Sequence, residues 1–317
     1  MTLKIDSNAV VDNNRKLTAI GLDAVGSASY IEVLSLPTAI GSTSGYTSGG
    51  FIPPVYSNII DKFPFATNAN ATDVGDLTVG RYTSAGQSST VSGYSSGGFV
   101  PPASNVIDKF PFASNSNATD VGDLTVARFL TTAQSSNAYG YTSGGVFQNN
   151  IDRFPFASDA NASDVGVLTV ARYGTAGQSS IVSGYTSGGE SPGGPTPIID
   201  KFPFATNANA TSVGNLSVTR FFGSGQSSTV SGYTSGSGNV IDKFPFSTDT
   251  SATDVGDLTV ARDYTAGQSS TTSGYASGGQ QPALSNVIDK FPFSTNANAT
   301  DVGDLTVARG RSAGQQY

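Results

Sequence analysis

The sequence predicts an all-β chain built from six copies of one four-stranded unit. A Gly-Tyr dipeptide recurs at Gly45, Gly93, Gly140, Gly184, Gly232 and Gly274, at spacings of 48, 47, 44, 48 and 42 residues. Within each unit, short runs of β-branched and aromatic residues alternate with clusters of Gly, Asn, Asp, Ser and Thr, and no window keeps a helical period. Most of the 18 Phe and 13 Tyr fall at fixed places in the repeat, which argues for a packed, repeated core rather than for the disorder that 38 Gly could otherwise signal. Four strands at a period of about 45 residues describe one blade of a β-propeller. Six such units predict a closed six-bladed ring.

Each unit resolves into four extended segments. GQSSTVS leads into GYTSGG, whose glycines end a strand. NVIDKFPF is the third, with Pro64 and its equivalents marking an edge or a bulge. DLTVAR, which alternates Leu and Val with polar neighbours, is expected to be the fourth.

The ends of the repeat array predict how the ring closes. Gln87, Gln134, Gln178, Gln226 and Gln268 each precede the next Gly-Tyr, whereas after Arg309 the chain runs GRSAGQQY to Tyr317. The first Gly-Tyr follows only an imperfect match, TAIGSTS. Residues 311–317 are therefore expected to supply the innermost strand of the blade begun at Gly45, sealing an edge that would otherwise stay open to pairing. The domain boundaries follow as an arm over 1–44 and a propeller over 45–317.

Charge follows the repeat. Of 16 Lys and Arg, Lys62, Lys109, Arg153, Lys201, Lys243 and Lys290 hold one repeat position, and Arg81, Arg128, Arg172, Arg220, Arg262 and Arg309 another. Only Lys4, Arg15, Lys16 and Arg311 remain. Asp61, Asp108, Asp152, Asp200, Asp242 and Asp289 recur beside the first set. An active site seldom needs six copies, so these charges read as scaffold. The recurrent Arg and Asp are predicted to pair within or between blades, where such pairs serve specificity more than stability.

The sequence of strand, Gly-Gly, strand with Asp, and Leu-x-x-x-Arg resembles the kelch repeat across all six units. It departs from that pattern in lacking Trp and in its polar Tyr46-Thr47-Ser48 before Gly-Gly. The wording IDKFPFATNANATDVGDLTVAR is similar to kelch-type proteins of cyanobacteria and their phages. With no His and no Cys, the chain cannot form the copper site that some kelch propellers carry, nor the common zinc sets, imidazole bases or thiol nucleophiles. The non-repeated acids Asp159, Glu190, Asp249 and Asp263 are scattered over three repeats and match no sialidase-type box. No enzyme activity and no cofactor are expected.

A net charge of −7 opposes a nucleic-acid partner, which needs a basic face. No membrane span and no signal peptide are expected from the hydropathy pattern. In TNANATDVGD, Asn68, Asn70, Asp73 and Asp76 resemble a diluted calcium loop. However, Thr72 stands where a carboxylate should, and turn-forming side chains explain the segment more simply. The Asn-Ala-Thr/Ser sequons in five repeats, Asn70 and Asn298 among them, are explained by the repeat itself.

Variation is concentrated in two places. The loops after Gly-Gly read FIPPVYSN, FVPPASN, VFQNN, ESPGGPTP, SGN and QQPALSN, and the residues after each repeated Arg also differ. In a propeller of the kind the resemblance implies, both loop types share one face. The candidate binding residues are Phe51, Tyr56, Phe99 and Phe147 in the first set, and Tyr82, Phe129, Tyr173, Phe221, Phe222 and Tyr264 in the second. Such rings can stack on sugars or anchor a protein partner. The plainer alternative is that they pack between blades.

The arm, MTLKIDSNAVVDNNRKLTAIGLDAV, is similar to N-terminal segments of phage tail-fibre and other virion proteins over about 20 residues. That resemblance implies docking on a neighbouring virion subunit through residues 1–40, often in trimers. A disordered leader is the simpler alternative. The expected function is a non-enzymatic structural or adhesive virion protein whose loop face contacts host surface glycan or another virion protein. The alternative is a cytoplasmic kelch-type interaction module.

Overall fold

The computed structural model describes residues 41–317, together with one short antiparallel pair in which Val10–Val11 meets Leu17–Thr18. The chain divides into units at Leu36/Pro37. The anchoring role expected for residues 1–40 otherwise falls outside the described residues.

Six antiparallel four-stranded sheets form a six-bladed β-propeller, as the repeat predicts. The second blade runs outward from Ala85–Ser88 through Ser92–Ser96 and Val106–Pro111 to Thr119–Asp123. The innermost strands of successive blades adjoin around the axis, the last against the first. The first blade is composite. Its innermost strand is Ala313–Gln316, paired with Ser44–Ser48, followed by Ile59–Pro64 and Thr72–Asp76. Closure by the C-terminal strand is thus present.

Two local expectations are corrected. The fourth strand is not DLTVAR but the preceding segment, Thr72–Asp76 in the first blade and Thr119–Asp123 in the second. Leu77 instead turns away from the sheet and is buried, Val79 is exposed, and Arg81 is buried again. Pro64 is not at a bulge and its strand is an inner one, although no outer strand pairs with it at that position. It ends the third strand opposite Ser44, past the last pair with the outer strand at Lys62–Thr72, so its missing N–H interrupts no ladder. The register shift lies at Ile60/Asp61.

The core lies between blades. Tyr46, Ile60 and Leu77 of the first blade pack against Phe110, Phe112 and Ala118 of the second. Tyr275, Ile288 and Leu305 of the sixth meet Phe63, Phe65 and Ala71 of the first. Period-two alternation in the third strand puts Ile60 on one side and Asp61 and Phe63 on the other. The Gly of each Gly-Tyr serves this packing, since a Cβ on Gly45 would lie 2.3 Å from the Phe63 ring.

Buried polar bridges join the same faces. Asp108 accepts from the Thr78 amide (3.0 Å) and hydroxyl (2.7 Å) and pairs with Arg81 at 3.0 Å, across the blade boundary. The same Arg–Asp pairing joins every neighbouring pair of blades, Arg220–Asp242 among them. Near the axis Gln87 donates to Ser96 Oγ (2.8 Å) in its own blade and to Tyr141 O and Thr142 Oγ1 (both 2.9 Å) in the next. The Asn of each sequon is a stitch as well. Asn117 Oδ1 accepts from the Asp76 amide at 3.1 Å, and Asn70 from Asp304 at 3.1 Å. Asp73 Oδ1 accepts from Gly75 N at 3.1 Å, which is turn chemistry.

Candidate functional site

The residues after each repeated Arg lie beside the loops after Gly-Gly, on one face. Tyr82 bridges Phe99, Phe51 bridges Gly310, Tyr173 bridges Glu190 and Asp263 bridges Gln280. Two of the loops form small hairpins of their own, Phe51–Ile52 with Val55–Tyr56 and Glu190–Ser191 with Gly194–Pro195, which fix Phe51, Tyr56 and Glu190 on this face.

The second residue after each repeated Arg has a left-handed backbone: Thr83 (φ 56°), Leu130 (57°), Gly174 (63°), Phe222 (66°), Tyr264 (58°) and Arg311 (64°). Their peptide groups form a closed cycle around the axis. Thr83 N donates to Arg311 O (2.7 Å), Leu130 N to Thr83 O (3.1 Å) and Gly174 N to Leu130 O (3.0 Å). Phe222 N then donates to Gly174 O (2.7 Å), Tyr264 N to Phe222 O (2.7 Å) and Arg311 N to Tyr264 O (2.9 Å). The cycle satisfies six amides that no sheet ladder reaches.

For an L residue this conformation costs about 1–2 kcal/mol, and glycine adopts it freely. Yet only one of the six positions is glycine. Gly174 is needed there for a second reason, since a Cβ would lie 2.6 Å from the Phe222 ring. The other five carry Thr, Leu, Phe, Tyr and Arg where the backbone least favours a side chain. Strain of this kind persists where the surrounding structure enforces it, and it clusters at functional sites.

Those side chains organise the face. Phe222 stacks on Tyr264 with centroids 4.1 Å apart and an interplanar angle of 22°. The Arg311 guanidinium lies 4.4 Å from the Tyr264 ring centre and 5.6 Å from those of Phe51 and Tyr82. From Tyr82 the contacts run to Phe51, Tyr56 and Phe99, and from Phe99 to Phe129. From Phe222 they run to Phe221 and Tyr173, and from Tyr173 to Phe147. All ten candidate residues therefore join one network, and Arg311 links its two halves. Phe147 is exposed and the other nine are half-buried. The rings pack on one another across the linkers, so the plainer expectation describes part of their role.

Electrostatics at the rim are sparse. Tyr173 OH donates to Glu190 Oε2 at 2.8 Å, and that bond, ahead of burial, raises the phenol pKa. Burial raises the Asp263 carboxyl. The mouth encloses about 70 Å3, lined among others by Leu130, Phe222, Tyr264 and Arg311. It shares Ser84, Thr131, Thr175 and Ser312 with an axial cavity of about 110 Å3.

The candidate set drawn from the sequence omitted Arg311, Thr131, Thr175 and the backbone cycle. A signal for Arg311 existed, because it is the one basic residue of the propeller outside the two repeated positions. Among the described residues no group of three or more acidic side chains is placed to hold a metal ion. No protein-family model matches the chain, and a search of curated proteins finds no match. The β-propeller architecture suggests an interaction module.

Proposed function

We propose that the chain is a non-enzymatic structural or adhesive virion protein of the fibre type, attached to a particle through residues 1–40 and presenting its variable face to host glycan or to another virion protein. One observation carries the face assignment. The repeated Arg, Asp and Gln side chains are engaged in bridging blades, whereas the aromatic rings that differ between repeats converge on one face as a single network around Arg311. A scaffold that spends its repeated chemistry on itself leaves recognition to the unrepeated part.

The distribution of acids supports the non-enzymatic reading. Asp159 pairs with Lys109 at 2.9 Å and Asp249 with Lys201 at 3.0 Å, while Glu190 accepts from Tyr173. The particle assignment rests on the resemblance of the arm and of the repeat wording. Mass spectrometry of purified phage particles tests it, because absence from every virion would sink it. Removal of residues 1–40 should abolish incorporation and leave the propeller folded. A cellular interaction module, the second reading, would instead bind its partner without the arm.

A further inference from the structure

We propose that the axial mouth binds the carboxylate of an acidic saccharide, with Arg311 as the anion-binding group. This rests on the glycan-contact reading above. The six repeated arginines each meet a buried Asp. Arg311 does not. Among the described residues it has no ion-pair partner; its Nε is buried with no hydrogen-bond partner, as are those of Arg81, Arg128, Arg172, Arg220 and Arg262, so the missing counter-charge is what sets it apart. It is held by rings alone, with Tyr264 at 4.4 Å and Phe51 and Tyr82 at 5.6 Å. A guanidinium wedged among aromatic faces has its plane fixed, and its N–H edge suits bidentate capture of a carboxylate.

Two further groups point the same way. Thr131 and Thr175 line the mouth, and their Oγ1 atoms are buried with no hydrogen-bond partner. A buried polar atom left unsatisfied is costly, so a ligand oxygen that reaches either hydroxyl gains by satisfying it. The space of about 70 Å3 takes a small group, not a whole sugar ring. The ring would lie outside, against the aromatics that extend from Tyr82 to Phe129 on one side and from Tyr173 to the exposed Phe147 on the other. A net charge of −7 disfavours a dense polyanion and favours a ligand whose charges are spaced along a chain.

The test is calorimetric titration of the full chain with a uronic-acid oligosaccharide, with its carboxyl-reduced neutral counterpart, and with an acidic peptide. The uronate should bind at least about tenfold more tightly than the neutral sugar. Arg311→Gln should remove that preference, Arg311→Lys should restore part of it, and Thr175→Val should weaken binding. Lys243→Gln, which removes a charge paired over Tyr233, should change nothing. Equal binding of acidic and neutral sugars, unaltered by Arg311→Gln, would overturn the carboxylate site and leave the glycan-contact reading standing. Binding of no saccharide would overturn both. Binding of the peptide in place of any sugar would overturn the saccharide assignment.

Discussion

Arg309 Nη1 lies 2.9 Å from Asp61 Oδ2, and both side chains are wholly buried. This contact joins the last repeat to the first across 248 residues of chain. Arg309 also donates to Thr47 O and Gly49 O, and Thr306 donates its amide and hydroxyl to the same carboxylate. Burial lowers the Arg309 pKa, and the Asp61 carboxylate opposes that shift.

Breaking this pair on one side should be severe. Asp61→Asn leaves a buried guanidinium without its counter-charge and should cost about 3–5 kcal/mol. The double variant Asp61→Leu with Arg309→Met should lose much less, because no orphaned charge remains. Urea denaturation of the three proteins checks this, and equal losses would show that the pair is not coupled.

Truncation after Arg309 should open the ring. It removes the Ala313–Gln316 strand, exposes the edge of Ser44–Ser48, and deletes the Gln315 bonds to Ser48 Oγ (2.9 Å) and Tyr94 O (2.9 Å). The melting temperature should fall by more than about 10 °C, with aggregation through the bared edge. An unchanged melting temperature would place closure elsewhere.

Alkali should weaken the fold through its buried tyrosines. Burial pushes the phenols of Tyr94, Tyr233 and Tyr275 up to about 12 and also raises Tyr46, Tyr141 and Tyr185. An unfolded chain releases those protons near pH 10. Between pH 10 and 12 the folded state therefore holds more protons than the unfolded state, so stability falls as pH rises. Denaturation midpoints should be level up to about pH 10 and drop steeply above it. Tyr233→Phe should make that drop shallower.

The left-handed cycle predicts an unusual substitution. Arg311→Gly removes a side chain but relieves about 1–2 kcal/mol of backbone strain. The melting temperature should hold or rise while ligand binding at the mouth is lost. A clear fall in stability would mean that Arg311 is retained for packing over Tyr264 and not for recognition.

The repeat wording made the blade count and the closing strand legible, because period and pattern are local properties of the chain. It misplaced the outer strand. DLTVAR alternates like a strand, but Leu77 is drawn into the gap between blades, Thr78 caps Asp108, and Arg81 must reach the neighbouring blade. Thr72–Asp76 has only Val74 to pack and is held by its ladder to Ile59–Pro64, so its sequence carries a weak strand signal. The ten aromatic candidates were legible from their variability, which marked the face on which they meet.

By itself, then, the sequence determined a six-bladed β-propeller, closed by its C-terminal segment, with repeated charges assigned to the scaffold. Only the tertiary structure decided that the six variable linkers meet head to tail in a ring of backbone hydrogen bonds, with Arg311 among three rings at its mouth. The reason is geometric. The six residues of that ring are separated by a whole repeat in the chain and share no residue type. Only closure of the blades around one axis brings their peptide groups within bonding distance.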